Sequence, residues 1–134
     1  MIYLDASALV KLVRAEAGSA ALKRWLAPRA ADVLLSSVLA DVEVTRAVRR
    51  SAPELLDRVP GILEALELVE LSPAVRTLAG GYSMPTLRAA DAVHLASAEL
   101  VARETAEVVE AFVCYDRVLS SAAAQVGMLV VAPA

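Results

Sequence analysis

The feature that most constrains the fold is an alternation of short apolar runs with stretches of helical spacing. Ile2–Asp5, Val33–Ser36, Leu68–Leu71, Ala111–Tyr115 and Met128–Val131 read as strands. Ser7–Arg14, Ser19–Leu26, Val38–Arg50, Pro53–Leu66, Ala74–Ala79, Arg88–Arg103 and Arg117–Val126 read as helices, with Tyr82–Leu87 as a loop. Glycine and proline punctuate them. Gly18 separates the first two helices and Ser19 is placed to cap the second. Pro53 closes the Val38–Arg50 helix, Pro60-Gly61 divides the next, Gly80-Gly81 ends Ala74–Ala79, and Gly127 stops the last. A parallel neighbour is reached only through a crossover, so strands alternating with helices imply a parallel sheet covered on both faces. Apolar strands such as Ala111-Phe112-Val113-Cys114-Tyr115 fit such burial.

Composition narrows the function. The 134 residues suit one domain, 1–134, and 58% apolar content excludes a disordered tail. No apolar run nears the ~18 residues of a membrane span, and the N-terminus lacks the basic segment of a signal peptide. A single cysteine, Cys114, forbids an intrachain disulfide and fits a reducing, cytoplasmic setting. With His94 the lone histidine, zinc fingers, three-histidine zinc sites and iron–sulfur clusters are excluded. Eleven arginines against two lysines, with 28 alanines, suggest a G/C-rich bacterial genome. The formal net charge is −3, whereas a simple electrostatic nucleic-acid binder would be basic. Any such role must explain the acids.

Most of the sixteen acids need no special account, as those on polar faces or ordinary element ends, but four are placed oddly. Asp5 and Asp116 each follow a strand and precede a helix; each is either an N-cap or a group facing the crevice beyond the strand ends. Asp91 shares a helix face with Leu95, Ala98 and Ala102, where an unpaired carboxylate is costly; the plain alternative is an ion pair with Arg88. Glu43 shares a sector with Leu39 and Ala47, and either faces inward or pairs with Arg46 and Arg50. Carboxylates converging at a sheet edge need compensation, and an all-oxygen set suits Mg²⁺ or Mn²⁺ rather than zinc. Such ions polarise a phosphoryl oxygen and generate a nucleophile near neutral pH. The acids then hold metal and the metal holds phosphate, which accommodates the negative charge.

Three segments in order carry a family resemblance: Met1-Ile2-Tyr3-Leu4-Asp5-Ala6-Ser7-Ala8-Leu9-Val10-Lys11-Leu12, Leu87-Arg88-Ala89-Ala90-Asp91-Ala92-Val93-His94-Leu95-Ala96-Ser97-Ala98, and Val113-Cys114-Tyr115-Asp116-Arg117-Val118-Leu119 with Ala122-Ala123. The chain resembles the PIN-domain ribonucleases, and among them the VapC toxins of bacterial VapBC toxin–antitoxin pairs. The resemblance implies an α/β/α sandwich around a parallel sheet of four or five strands, with strands one and four adjacent. It implies Mg²⁺ or Mn²⁺ held by Asp5, Glu43, Asp91 and Asp116, with Ser7 bonded to an acid or to water. It further implies RNA phosphodiester hydrolysis, a homodimer, and a VapB-type antitoxin that blocks the groove. Cys114 stands where the family often has a small polar residue such as threonine.

Arg46, Arg50, Arg88 and Arg117, with Lys11, Arg14 and Arg49, lie near these motifs as phosphate contacts or as ordinary surface and ion-pair residues. His94 reads as a structural residue and Cys114 as inert core. The aromatics are too sparse for a base-stacking platform, and Trp25 suits core or a dimer interface. Two competing readings differ in class. A haloacid-dehalogenase phosphatase would open with Asp-x-Asp, but Asp5-Ala6-Ser7 lacks the second acid. A catalytically silent interaction module would use the acids as caps and salt-bridge partners, and would bind no divalent ion.

Overall fold

The computed structural model describes residues 1–134. Five strands form one parallel sheet: β1 (Ile2–Leu4), β2 (Leu34–Ser37), β3 (Glu67–Val69), β4 (Ala111–Val113) and β5 (Val130–Val131), in the order β3-β2-β1-β4-β5. The helices are α1 (Ala6–Val13), α2 (Ser19–Leu26), α3 (Leu39–Ser51), α4 (Val59–Glu64), α5 (Pro73–Gly81), α6 (Ala89–Thr105) and α7 (Arg117–Gln125). Short 3-10 segments cover Ala27–Arg29 and Pro53–Arg58. None of these helices is long and apolar enough to cross a membrane.

Strand periodicity builds two cores. Ile2 and Leu4 of β1, with Ala111 and Val113 of β4, face a cluster completed by Ala8, Leu9, Val13, Leu22, Val44, Val48 and Val59 of α1–α4. Tyr3, Leu35, Phe112 and Cys114 face the other way, onto Leu95 and Ala98 of α6 and Leu119, Ala122 and Ala123 of α7. The expected sandwich is therefore present, with five strands. β1 and β4 pair directly, Tyr3 opposite Phe112, and these rings stack at 5.1 Å. The chain runs outward from β1 through β2 to β3, then returns to β4 on β1's other side. The strand order thus reverses between β1 and β4, which places a crevice beyond their carboxyl ends.

Several local expectations change. Gly18, at φ +87°, is the N-cap of α2; a Cβ there would lie 3.3 Å from the Tyr115 ring. Ser19 is therefore inside the helix, and its hydroxyl donates to the Arg14 carbonyl and accepts from Glu16 N–H. Gly80 and Gly81 keep negative φ and belong to α5, which ends instead at extended Tyr82. The Pro53–Leu66 segment is in two pieces, as expected, but Pro60 is not itself the break; it sits in the first turn of α4, where its missing N–H costs nothing. The change of helix type falls between Arg58 and Val59. In α6, Ala92 and His94–Ala98 are buried around most of the helix rather than along one stripe, because α5 covers one side and the sheet another.

Candidate active site

Asp5 leaves β1 and caps α1. Its Oδ1 accepts from Ala8 N–H at 3.0 Å and from the Ser7 hydroxyl at 2.6 Å; its Oδ2 accepts from the Cys114 thiol at 3.2 Å. The Ser7 hydroxyl also accepts from Tyr115 N–H at 2.9 Å, so one side chain ties the exit of β4 to the exit of β1. Asp5 is only 4% exposed, and burial raises its pKa even against the Ser7 and Ala8 hydrogen bonds, which lower it. Burial and the neighbouring Asp5 charge push the Cys114 thiol up to about 12. It is a donor to Asp5 and not a nucleophile.

Asp116 repeats this arrangement one strand away. It caps α7, its Oδ1 accepting from Leu119 N–H at 2.8 Å, but it is exposed and its Oδ2 takes no hydrogen bond from the protein. Both strand-end acids are thus N-caps, and both stand at the crevice. The two readings coexist, since a cap occupies mainly one carboxylate oxygen.

Asp91 lies in the first turn of α6, half-buried, with no hydrogen bond or ion pair to any side chain. The alternative pairing with Arg88 does not occur. Burial raises the Asp91 pKa, and Asp116, Asp5 and Glu43 raise it further by like-charge repulsion, while His94 opposes them. Glu43 on α3 pairs with neither Arg46 nor Arg50. Its Oε1 lies 2.6 Å from His94 Nε2, and His94 Nδ1 lies 2.8 Å from the Tyr3 hydroxyl.

Glu43, Asp91 and Asp116 line a cleft of about 310 Å³ with Thr86, Arg88, Ala90 and Val118. A second groove, of Met84, Leu87, Arg117, Ser121, Ala122 and Gln125, adjoins it through the shared Thr86 and Val118. Arg88 and Arg117 are exposed and free of carboxylate partners at the edge of this continuous depression. Arg46 and Arg50 are exposed on α3, likewise unpaired, and line neither hollow. Lys11 is committed elsewhere: it pairs with Glu16, bonds the Ala17 carbonyl and sits over the Tyr115 ring. Arg14 also pairs with Glu16. Trp25 packs against the core beneath the Arg29 guanidinium.

A divalent cation fits this chemistry in one specific way. No three His, Cys, Asp or Glu side chains close tightly enough to cage an ion. Mg²⁺ keeps several waters and takes one or two carboxylates plus substrate phosphate, so an open acid-lined cleft suits it. The oxygens not engaged by the protein are both of Asp91, Oδ2 of Asp116 and Oε2 of Glu43, while Oδ2 of Asp5 meets only a weak thiol donor. Four acids from four elements therefore meet at one end of the sheet.

Of the partners of these acids, the sequence offers Ser7 for Asp5 but misses Cys114 for Asp5 and His94 for Glu43. His94 is not simply a core residue, and Cys114 is not simply inert filling. Spacing along α6 places His94 three residues after Asp91 but carries no information about Glu43, fifty-one residues away.

The PIN-domain family matches residues 2–125. Ribonuclease VapC35 of Mycobacterium tuberculosis is 42% identical over 99% of this chain and 97% of its own. Ribonuclease VapC47 of the same species is 36% identical, with the same coverage of both chains. The crystal structure of M. tuberculosis VapC20, described as a sarcin-ricin loop cleaving toxin, superposes with a TM-score of 0.75 over 99% of this chain and 100% of that one. At 18% identity this second kind of likeness speaks for the fold. Sheet order, strand-end acids and relatedness over nearly the full length agree: this chain belongs to the PIN-domain family, among the VapC ribonucleases.

Proposed function

We propose that the chain, 1–134, acts as a single-domain, Mg²⁺- or Mn²⁺-dependent endoribonuclease toxin. The observation that carries this reading is the convergence of Asp5, Glu43, Asp91 and Asp116 at the β1/β4 crevice, each raising or sharing in the electrostatic load on Asp91. Asp5, Glu43, Asp91 and Asp116 would hold the cation, the last three through oxygens free of protein hydrogen bonds and Asp5 through Oδ2, which meets only the Cys114 thiol. A divalent cation bound there supplies Lewis-acid polarisation of a phosphoryl oxygen.

The chain's own residues do the rest. Ser7 and Ala8 N–H hold the Asp5 carboxylate in one orientation. Arg88 and Arg117 meet RNA phosphates on either side of the scissile bond, a contact that positions the strand without reading its sequence. Arg46 and Arg50, exposed and unpaired about one and two turns beyond Glu43 on α3, are further phosphate contacts in this reading. The VapC relatives support RNA as substrate and a VapB-type antitoxin as partner; in this reading the antitoxin occupies the cleft and the chain works as a homodimer.

The test is cleavage of end-labelled total cellular RNA by purified protein with Mg²⁺ or Mn²⁺, with EDTA, and beside Asp5→Asn. Discrete cuts that require both the metal and Asp5 are the expected result. Cuts that persist in EDTA overturn the metal-dependent reading. Absence of cuts together with absence of Mn²⁺ binding by titration calorimetry favours a silent interaction module instead.

A further inference from the structure

We propose that His94 is a positioning residue that fixes the Glu43 carboxylate for cation binding, through a hydrogen-bonded relay that begins at Tyr3 in the centre of the sheet. The inference rests on the reading of Glu43 as a cation-holding acid. Its observation is separate: the chain Tyr3 Oη–His94 Nδ1 at 2.8 Å and His94 Nε2–Glu43 Oε1 at 2.6 Å.

The relay has one rigid end and one working end. Tyr3 is fully buried in β1, stacked on Phe112 and edge-on to the His94 ring. His94 is 1% exposed in the middle of α6, whereas the Glu43 side chain is 30% exposed at the cleft. The bond between them joins α6, which packs on one face of the sheet, to α3, which packs on the other. It passes round the carboxyl end of β1, where Asp5 stands.

Its direction is fixed by chemistry. A carboxylate only accepts, so His94 Nε2 carries a proton and donates to Glu43 whatever the ring's charge. Burial keeps the Tyr3 hydroxyl protonated, and its oxygen lies within hydrogen-bond reach of Nδ1. A glutamate on a helix surface has three free torsions and wanders among rotamers. Here one oxygen is held, and Oε2 is left for the cleft. Packing alone would not need this: a purely structural histidine gains as much from a backbone carbonyl. Outer-shell hydrogen bonds of this kind typically change metal affinity about 10–100-fold.

The experiment measures Mn²⁺ affinity by titration calorimetry for the full chain, in a double-mutant cycle of Glu43→Gln with His94→Leu. His94→Leu is expected to weaken binding about tenfold or more in the parent and to add nothing in the Glu43→Gln background. His94→Gln, whose amide N–H reaches about where Nε2 lies, is expected to recover most of the loss. RNA cleavage by His94→Leu should rise towards the parent rate as Mn²⁺ is increased, which a general packing defect would not allow. Equal losses in both backgrounds, or parent affinity in His94→Leu, overturn the proposal. If His94→Leu fails to fold by circular dichroism, Tyr3→Phe keeps the stacked ring and replaces it in the same cycle: a loss confined to the parent background supports the relay, and equal losses or parent affinity overturn it. The underlying reading fails separately: Mn²⁺ binding unchanged in both Glu43→Gln and Asp91→Asn removes the cation site itself.

Discussion

The two ends of the sheet carry acids in similar number and put them in opposite circumstances. At the amino end, Glu99, Glu107 and Glu110 border a groove of about 610 Å³ with Val108, Met128 and Leu129. Glu99 is answered by Arg103 at 2.6 Å and by the Tyr82 hydroxyl at 2.8 Å, while Glu107 and Glu110 face solvent. At the carboxyl end the cleft is half that size, yet its acids have no arginine or lysine partner and load one another. Cavity volume would choose the wrong end. Chain direction explains the difference. Helices α1, α6 and α7 begin at the carboxyl end, with Asp5, Asp91 and Asp116 at their caps or first turns, where the helix dipole favours negative charge. Helix α6 finishes at the other end with Arg103 in its last turn, where the dipole favours a cation. Acids gather unpaired where helices start, and are neutralised or solvated where one stops.

The largest expected effect is at Asp5. Asp5→Asn keeps the N-cap, because asparagine caps as well as aspartate, and it keeps acceptors for Ser7 and Ala8. Far-UV circular dichroism should be unchanged. RNA cleavage should fall about a hundredfold or more, the scale seen when a preorganised electrostatic group is lost from a catalytic site. Asp5→Ala should lose as much activity and also about 1 kcal/mol of stability with the cap. Full activity in Asp5→Asn would erase the contrast between the two ends.

Next comes the response to pH and metal. Burial raises the folded pKa of both Asp5 and Asp91 above the ordinary carboxylate value. A carboxyl shifted upward on folding binds protons more tightly in the native state. Its contribution to stability is full below the unfolded pKa and is lost as pH rises through the folded one. The melting temperature of the metal-free protein should therefore rise as the pH is lowered from neutral towards the ordinary carboxylate range. Mn²⁺ should reverse the trend. At a hundred times its Kd it adds about 2.7 kcal/mol, on the order of 10 °C for a chain this size, and the gain should shrink at the lower pH. A metal-free protein that is most stable at neutral pH and indifferent to Mn²⁺ would mean the carboxyl-end acids are ordinary.

At the opposite end a more modest loss is expected. Glu99→Gln removes an ion pair whose arginine is largely exposed, but it also weakens a hydrogen bond from Tyr82 to a charged acceptor. About 1 kcal/mol of stability should go, with no change in Mn²⁺ affinity. Thermal unfolding and calorimetry measure the two separately.

What could be read in the sequence followed chain direction and periodicity. The strand–helix alternation sufficed for a parallel sandwich, and the acids after Leu4 and Tyr115 could be placed at strand ends because both runs are short and apolar. Pairing across the chain was less accessible. Glu43 offered two arginines at helical spacing, Arg46 and Arg50, and took instead a histidine from another layer. No local pattern distinguishes these, since the choice is made where α3 and α6 meet beyond β1. Gly80 and Gly81 looked like a stop but remain helical, because glycine only permits the left-handed turn and nothing there demands it. Ser7 could be recognised as a bonding partner of an acid; its second bond, to Tyr115 N–H, depends on β1 and β4 being neighbours.

The smallest effect is the sharpest check on the comparison. Glu107 and Glu110 are exposed and make no ion pair, and they border the larger groove. Replacing both with glutamine changes the net charge from −3 to about −1, a shift that a purely global electrostatic account would translate into tighter RNA binding. The geometry says otherwise, because both charges lie at the far end of the sheet from the Arg88–Arg117 depression and salt screens exposed charges beyond about 8–10 Å. Stability should move by less than about 0.5 kcal/mol and cleavage by less than about twofold. Mn²⁺ affinity should stay at the parent value. If instead the double variant binds Mn²⁺ more weakly, the amino-end acids hold a cation too, and the division of labour between the two ends of the sheet is wrong.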